Sequence, residues 1–398
     1  MLKTNTYTNF TELPDHSLSF LDNAEKTNFF LGKGWFENFS SNTLTSDSHI
    51  HIYCVDEVSD TTQTRAVLFM RSPGGQAGSL SKKVFSGAKS IASMTAHQSI
   101  YFAPIIDESY PEREKLIFAL IKSICDDDHQ WNLIDINFMN RRSQIFHDVT
   151  KALNQCGMQV RHYDYVPNMY EDLSGMTFKD FIASRPSMVR KTYMRKSRKL
   201  KKSNDVRFEL ISSGDVEKAI EDYIIIHDNS WKEEEVFPKH DPGVIRKAAC
   251  SGSLRMGLLY VDDQPVAVQV WLVSSNKATI YKLHYDADYH QQSVGAILTL
   301  HMFEHMIDVE HINEVDFGIG DEEAKSLWLK NQRPLCGIVA FNINTTGGVV
   351  ALSRFTASDM LVHTKQKLKP VLSPIKHQLS HANTTSSKAL SEKDCHIR

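Results

Sequence analysis

Three groups of residues have the types and spacing to do chemistry. The first is Ser293-Val294-Gly295, which opens a segment with helical apolar spacing through Ile297, Leu298, Leu300, Phe303 and Ile307. A helix start carries unsatisfied backbone N–H groups and a partial positive charge, which suit a phosphate. Ser293 reads as the N-cap, and Gly295 lets a ligand approach the backbone. The bland alternative is an ordinary α/β turn. The second group is a pair of carboxylates, Asp316 and Asp321, on either side of Gly318 and Gly320 at the end of an apolar strand. Sites in open α/β folds form at such strand ends. A general base is one role for Asp316 or Asp321, and tying the glycine loop is the other for Asp316. Lys325 suits an anionic acceptor, a cofactor phosphate or a plain surface salt bridge. The third group is histidine. His227 stands four residues before Trp231, so the two share a helix face. An imidazole titrates where a general base must work, although a buried, hydrogen-bonded structural histidine fits as well. His284 is a further base candidate, and its alternation with Tyr281 and Leu283 leaves its face open. His301, His305 and His311 are not expected to bind metal, because Met302 stands where a zinc-binding helix has its glutamate.

The elements around these residues form a βαβ unit. Thr279 to Tyr285 alternates as a strand, Asp286 to Gln292 is a polar loop, a helix starts at Ser293, and Glu314 to Phe317 is a second strand. Upstream, Phe29 to Phe39 is a short aromatic helix, and 49–56 with 65–71 make a hairpin. Residues 72–93, rich in Gly, Ser and Lys, read as a mobile surface loop. Helices over 111–125 and 143–155 and strands over 131–139 and 158–165 complete a first α/β half. Between the halves runs what reads as one long helix after Pro186, whose basic residues are Arg185, Arg190, Lys191, Arg195, Lys196, Arg198, Lys199, Lys201 and Lys202. It is either a solvated connector or an electropositive flank for an anionic ligand or an acidic lipid surface. The second half continues with strands at 206–212, 254–261, 265–274 and 279–285, and helices near 214–233 and 242–251.

The chain has 398 residues, enough for two ordinary domains, and a formal net charge of −3, which argues against a general affinity for nucleic acid. Its six cysteines are scattered with no CxxC pair, so neither a zinc ribbon nor a disulfide framework is expected, and a reducing cytoplasm fits. No apolar run is long enough to span a bilayer, and the first residues lack a signal-peptide pattern. The expected division is 1–175, a basic helical connector 176–205, a second domain 206–345, a C-terminal helix 346–372 and a disordered tail 373–398.

Asp316-Phe317-Gly318-x-Gly320-Asp321, followed by Lys325 and Trp328, resembles the signature of the CelD/BioF-like acetyltransferases. These belong to the GNAT superfamily and are relatives of the FemAB peptidoglycan-bridge enzymes. The His227…Trp231 pair, the YVDDQPVAVQVWL hairpin, the Tyr285-Asp286…Ser293-x-Gly295 segment and the MVRKTYMRKSRKLKK helix follow the same family order. The resemblance covers about residues 25–345. The sequence departs from it at Val294, Ile319 and Ala324, where proline, arginine and tyrosine are common, and it matches the pyrophosphate-loop pattern only in part. The resemblance implies two tandem GNAT-like domains, of α/β class with mixed sheets, joined by the basic helix. It implies acyl transfer, with acetyl-CoA or another acyl-CoA as co-substrate and no metal. Tyr281 and Leu283 would offer backbone groups to the pantetheine arm, and Gln291, Gln292, Ser293, Val294, Gly295 and Ala296 would hold the pyrophosphate. Trp231, Tyr285, Asp286, Gly318, Gly320, Lys325 and Trp328 would meet the acceptor, an amine or hydroxyl related to the envelope or its polysaccharides. A Fem-like transferase using aminoacyl-tRNA and a catalytically inactive scaffold are the alternatives.

Overall fold

The computed structural model describes residues 1–59, 62–73, 82–96, 98–165, 167–230, 237–320 and 323–360. The first sheet takes β1 (Leu2–Tyr7), β2 (His49–Val58), β3 (Thr62–Ser72), β4 (Ser90–Ser93), β5 (Ile105–Ile106), β6 (Leu133–Asn140) and β7 (Gln159–Asp164). It is flanked by helices α1 (Asp15–Thr27), α2 (Lys33–Asn42), α3 (Lys82–Phe85), α4 (Arg113–Cys125) and α5 (Gln144–Gln155). The sequence explains these elements locally. Seven of the eight residues of β6 are buried, as befits a strand covered on both faces. In α5 the Ser143 side chain accepts from the Phe146 N–H at the start, and Gly157 takes a left-handed φ of +77° just past the end.

The second sheet takes β8 (Asn168–Asp172), β9 (Val206–Ile211), β10 (Leu254–Val261), β11 (Gln264–Ser274), β12 (Lys277–Tyr285), β13 (Glu314–Ile319) and β14 (Asn331–Arg333). Its order is β14-β8-β13-β12-β11-β10-β9. The helices here are α6 (Phe178–Ala183), α7 (Met194–Ser203), α8 (Val216–Asp228), α9 (His240–Cys250), α10 (Val294–Asp308) and α11 (Glu323–Ser326). A π-helical turn over Met188–Tyr193 runs straight into α7 and forms the long basic helix, but Arg185 precedes it and is buried in an ion pair with Glu171 at 2.7 Å, so it is no part of the basic surface. Residues of α8 and α9 pack on Leu258, Val268, Val270 and Tyr281 of the sheet. Residues of α10 pack with Leu259, Trp271, Ile280 and Val315, which belong to a separate cluster.

Two strands cross the boundaries expected from sequence. β8, placed in the first domain by 1–175, pairs with β13 and β14 of the second sheet. The last strand, β15 (Leu335–Phe341), placed in the second by 206–345, lies in the first sheet between β6 and β7. Backbone hydrogen-bonding groups must be satisfied, and the inter-domain edges satisfy each other by exchange. The halves also share one hydrophobic cluster, from Phe29, Trp35 and Phe36 to Tyr223, Val244 and Tyr281. The stretch 72–93 is not a loop throughout, because Ser90–Ser93 is a buried strand, while 74–81 lies outside the described residues. Residues 346–360 are helical, and the expectations for 361–398 lie outside the described residues. Among the described residues no helix is long and apolar enough to cross a membrane.

Candidate active site

β12 and β13 run parallel, yet they pair only across Lys277↔Glu314, Ala278↔Val315 and Thr279↔Asp316. Beyond Thr279 the two strands are no longer bonded to each other, although β12 continues to Tyr285 and β13 to Ile319. The break leaves backbone groups on both strands outside that ladder, and such groups need partners. On its other edge, β12 carries a bulge: Val270 faces Lys282 and Trp271 faces Ile280, so Tyr281 is the extra residue. Bulges bend a strand and re-aim its side chains, often beside active sites.

The re-aimed side chains meet at Asp241, the second residue of α9. Tyr281 donates from its hydroxyl to Asp241 Oδ1 at 2.8 Å. Lys282 Nζ and the Tyr223 hydroxyl both reach Oδ2 at 2.8 Å. Burial works to raise the carboxyl's pKa, but Lys282, the Tyr281 hydroxyl and nearby His240 prevail and hold it below the usual carboxylate range. His284 Nε2 lies 3.3 Å from the Tyr223 oxygen. Because Tyr223 gives its one proton to Asp241, His284 is the donor in that contact. The rings of His227 and His284 are 5.0 Å apart and edge to face. His284 is 1% exposed, whereas the His227 side chain is 15% exposed. Among the described residues His227 Nε2 has no hydrogen-bond partner. The structure thus joins His227, His284 and Tyr281, three residues singled out from sequence, with Asp241, Lys282 and Tyr223, which were not. Asp241 gave no signal beyond a helix start before Pro242, and Lys282 read only as a polar strand position.

The helix start behaves differently from the sequence expectation. Residues Ala287–Gln292 form a 3-10 helix rather than an open loop, capped by Asp286, whose side chain accepts from the Asp288 N–H. Asp286 also accepts from Asn229 at 3.3 Å, so each of its oxygens already has a partner in the protein. Ser293 takes a left-handed φ of +59° and its side chain does not cap α10. In that conformation its hydroxyl faces Lys196, whose Nζ lies 2.8 Å from Ser293 Oγ and 2.8 Å from the Gln291 carbonyl oxygen. The first N–H groups of α10, on Val294, Gly295 and Ala296, have no earlier helical carbonyl to bond. Gln269 fixes that first turn to β11, donating to the Gly295 carbonyl oxygen at 3.3 Å and to Thr299 at 2.7 Å. A Cβ on Gly295 would sit 3.0 Å from the Tyr285 ring, so only glycine fits without a shift.

Three expected site residues turn out to be structural. Asp316 is 3% exposed and both its oxygens are occupied. Oδ1 accepts from Asn168 at 2.5 Å and from the Gly318 N–H at 2.7 Å; Oδ2 meets Lys277 at 2.9 Å and Arg333 at 3.3 Å. Burial raises its pKa, but Lys277, Arg333 and Asn168 outweigh that and hold it below the usual range, so it is a poor base and a good anchor. It fixes the turn at Gly318, which has a φ of +67°. Trp328 is buried between Tyr193 and Phe303, with ring centroids 6.0 and 5.6 Å away, and so packs the core. Lys325 donates to the Ile319 carbonyl oxygen and closes the same turn, near Gly320. Trp231 and Asp321 lie outside the described residues.

The family model for the Acetyltransferase (GNAT) domain matches residues 187–326. No curated protein matches the sequence. Among solved structures, a conserved protein of unknown function from Bacteroides thetaiotaomicron aligns at 11% identity and TM-score 0.52, over 84% of this chain and 100% of that one. FemX aligns at 10% identity and TM-score 0.52, over 83% and 96%. L-PGS from Bacillus licheniformis aligns at 11% identity and TM-score 0.46, over 73% and 85%. At such identities FemX and the Bacteroides protein show a common fold. Residues 187–326 thus match the GNAT domain model, and the two-sheet architecture around them is shared with FemX.

Proposed function

We propose that this chain transfers an acyl group from acyl-CoA to an amine or hydroxyl acceptor where β12 and β13 part. The observation that carries this reading is the conjunction of that parting with a cation-flanked helix start at the end of β12. The N–H groups of Val294, Gly295 and Ala296, with Lys196 beside them, suit the pyrophosphate. The stretch of β12 at Tyr281 and Leu283, which lies beyond the ladder with β13, suits the amides of the pantetheine arm, which can add as a strand would. Polarising the thioester carbonyl takes a main-chain N–H, a role suited to the bulged stretch of β12.

Transfer then needs a base. His227, the less buried of the two histidines, takes the proton from the attacking nitrogen or oxygen as the new bond to the acyl carbon forms. The carbon–sulfur bond breaks, and the thiolate leaves to take up a proton. His284, Tyr223 and Asp241 hold the base in place from behind. The acceptor is an envelope or polysaccharide-related amine or hydroxyl, acetyl is the first acyl group to try, and the reaction runs in the cytoplasm.

Isothermal titration with acetyl-CoA and longer acyl-CoAs tests the reading. Micromolar binding that disappears in Gly295→Trp is expected. A protein that binds no acyl-CoA would overturn the coenzyme A assignment and favour aminoacyl-tRNA as donor.

A further inference from the structure

The helix from Met188 to Ser203 has two unlike faces. Val189 and Leu200 are buried against the domain, and Lys196 turns inward to Ser293. Arg190, Lys191, Arg195, Arg198, Lys199 and Lys202 are all exposed. The last four stand at i, i+3, i+4 and i+7, so they form one straight stripe along α7. Among the described residues none of the six forms an ion pair. Other exposed cations have a carboxylate partner, such as Arg113 with Glu108, Lys122 with Asp126, Lys151 with Glu114 and Arg246 with Glu217, and those that have none, such as Lys3, Lys179 and Lys239, form no such stripe. The stripe also repels itself, since Lys191 and Arg195, Arg195 and Lys199, and Arg198 and Lys202 are like charges four apart. Folding gains nothing from that arrangement, in a chain whose formal net charge is −3. An anionic partner would relieve it.

We infer that this stripe docks the protein on an acidic membrane surface. The face is a single convex helix with no exposed aromatic, Asn or Gln side chain on it to stack on or read a base, which single-stranded RNA recognition uses. Clustered Lys and Arg on such a helix are what anionic headgroups attract. Met188, 44% exposed at the head of the stripe, offers an apolar contact beside the charges. Docking by this face has a geometric consequence. Lys196, about 110° around the same helix from the stripe, reaches the α10 start, so the proposed donor loop lies beside the docked face. Acceptors carried in or on the membrane would then be within reach. The surface itself does not depend on the acyl-transfer reading.

Vesicle sedimentation of the full chain tests this. The protein should pellet with vesicles of equal parts phosphatidylglycerol and phosphatidylcholine, not with phosphatidylcholine alone, and half-molar salt should release it. Arg195→Glu with Lys199→Glu should cut the bound fraction about tenfold. Arg198→Gln with Lys202→Gln, which only removes charge, should cut it less and guards against misfolding. Acetyl-CoA affinity, read separately, should stay unchanged in both. No binding to anionic vesicles, binding unaltered by either variant, or RNA binding that anionic vesicles fail to displace would each overturn the inference.

Discussion

Lys196 and Ser293 lie 97 positions apart in the chain, yet the Lys196 ammonium sits 2.8 Å from Ser293 Oγ. The contact brings the basic helix to the start of α10 and leaves one cation at the proposed pyrophosphate site. Lys196→Met should therefore weaken acyl-CoA binding about tenfold, the worth of one charge-assisted contact. Titration calorimetry measures it. Thermal melting should stay close to wild type, since Lys196 is only half-buried and, among the described residues, no carboxylate pairs with it.

His227 and His284 give distinguishable kinetics. If His227 is the base, His227→Ala should lower kcat by about 10²–10⁴ while the donor KM changes little. Added imidazole should restore part of the lost rate. Tyr223→Phe breaks the link from His284 to Asp241, so it should cost far less. A His227→Ala protein that keeps most of its kcat would transfer the role to His284.

Asp316 is predicted to matter for stability rather than chemistry. Asp316→Ala removes the acceptor of Asn168 and the Gly318 N–H and takes from Lys277 and Arg333 one of the two carboxylates they share, Glu314 being the other. Leaving those buried donors unsatisfied costs about 1–3 kcal/mol, seen as an earlier midpoint in urea. Its folded pKa is depressed, so its contribution is present above the ordinary carboxylate pKa and is lost as pH falls through the folded value. The gap between wild type and variant should thus narrow in acid.

Local physics made the βαβ unit and the basic helix legible, because hydrophobic periodicity and turn residues fix them within a few residues. What sequence could not give was partnership across distance. Asp241 and Lys282 are 41 residues apart and meet only because a bulge at Tyr281 turns the strand. Ser293 looked like a cap since serine commonly is one, but the tertiary contact with Lys196 took its hydroxyl instead. The exchange of β8 and β15 is likewise invisible to any window of sequence, being decided by which sheet edges lie open.

Asp135 in the first sheet provides a test by pH. It is wholly buried, and its Oδ1 accepts from the Tyr163 hydroxyl at 2.6 Å. Burial lifts its pKa to about 6 in spite of Tyr163, Arg71 and Asn137. Against about 3.9 unfolded, a raised folded pKa means that the protonated form suits the fold. Stability from this group is full below the unfolded value and falls as pH rises through about 6. Asp135→Asn keeps an acceptor for Tyr163 and cannot ionise. Between pH 4.5 and 7.5 the unfolding free energy of the variant should therefore gain on wild type by about 2 kcal/mol. Urea titrations of both proteins at the two pH values read this directly, and a difference that stays constant would place the Asp135 pKa near its unfolded value.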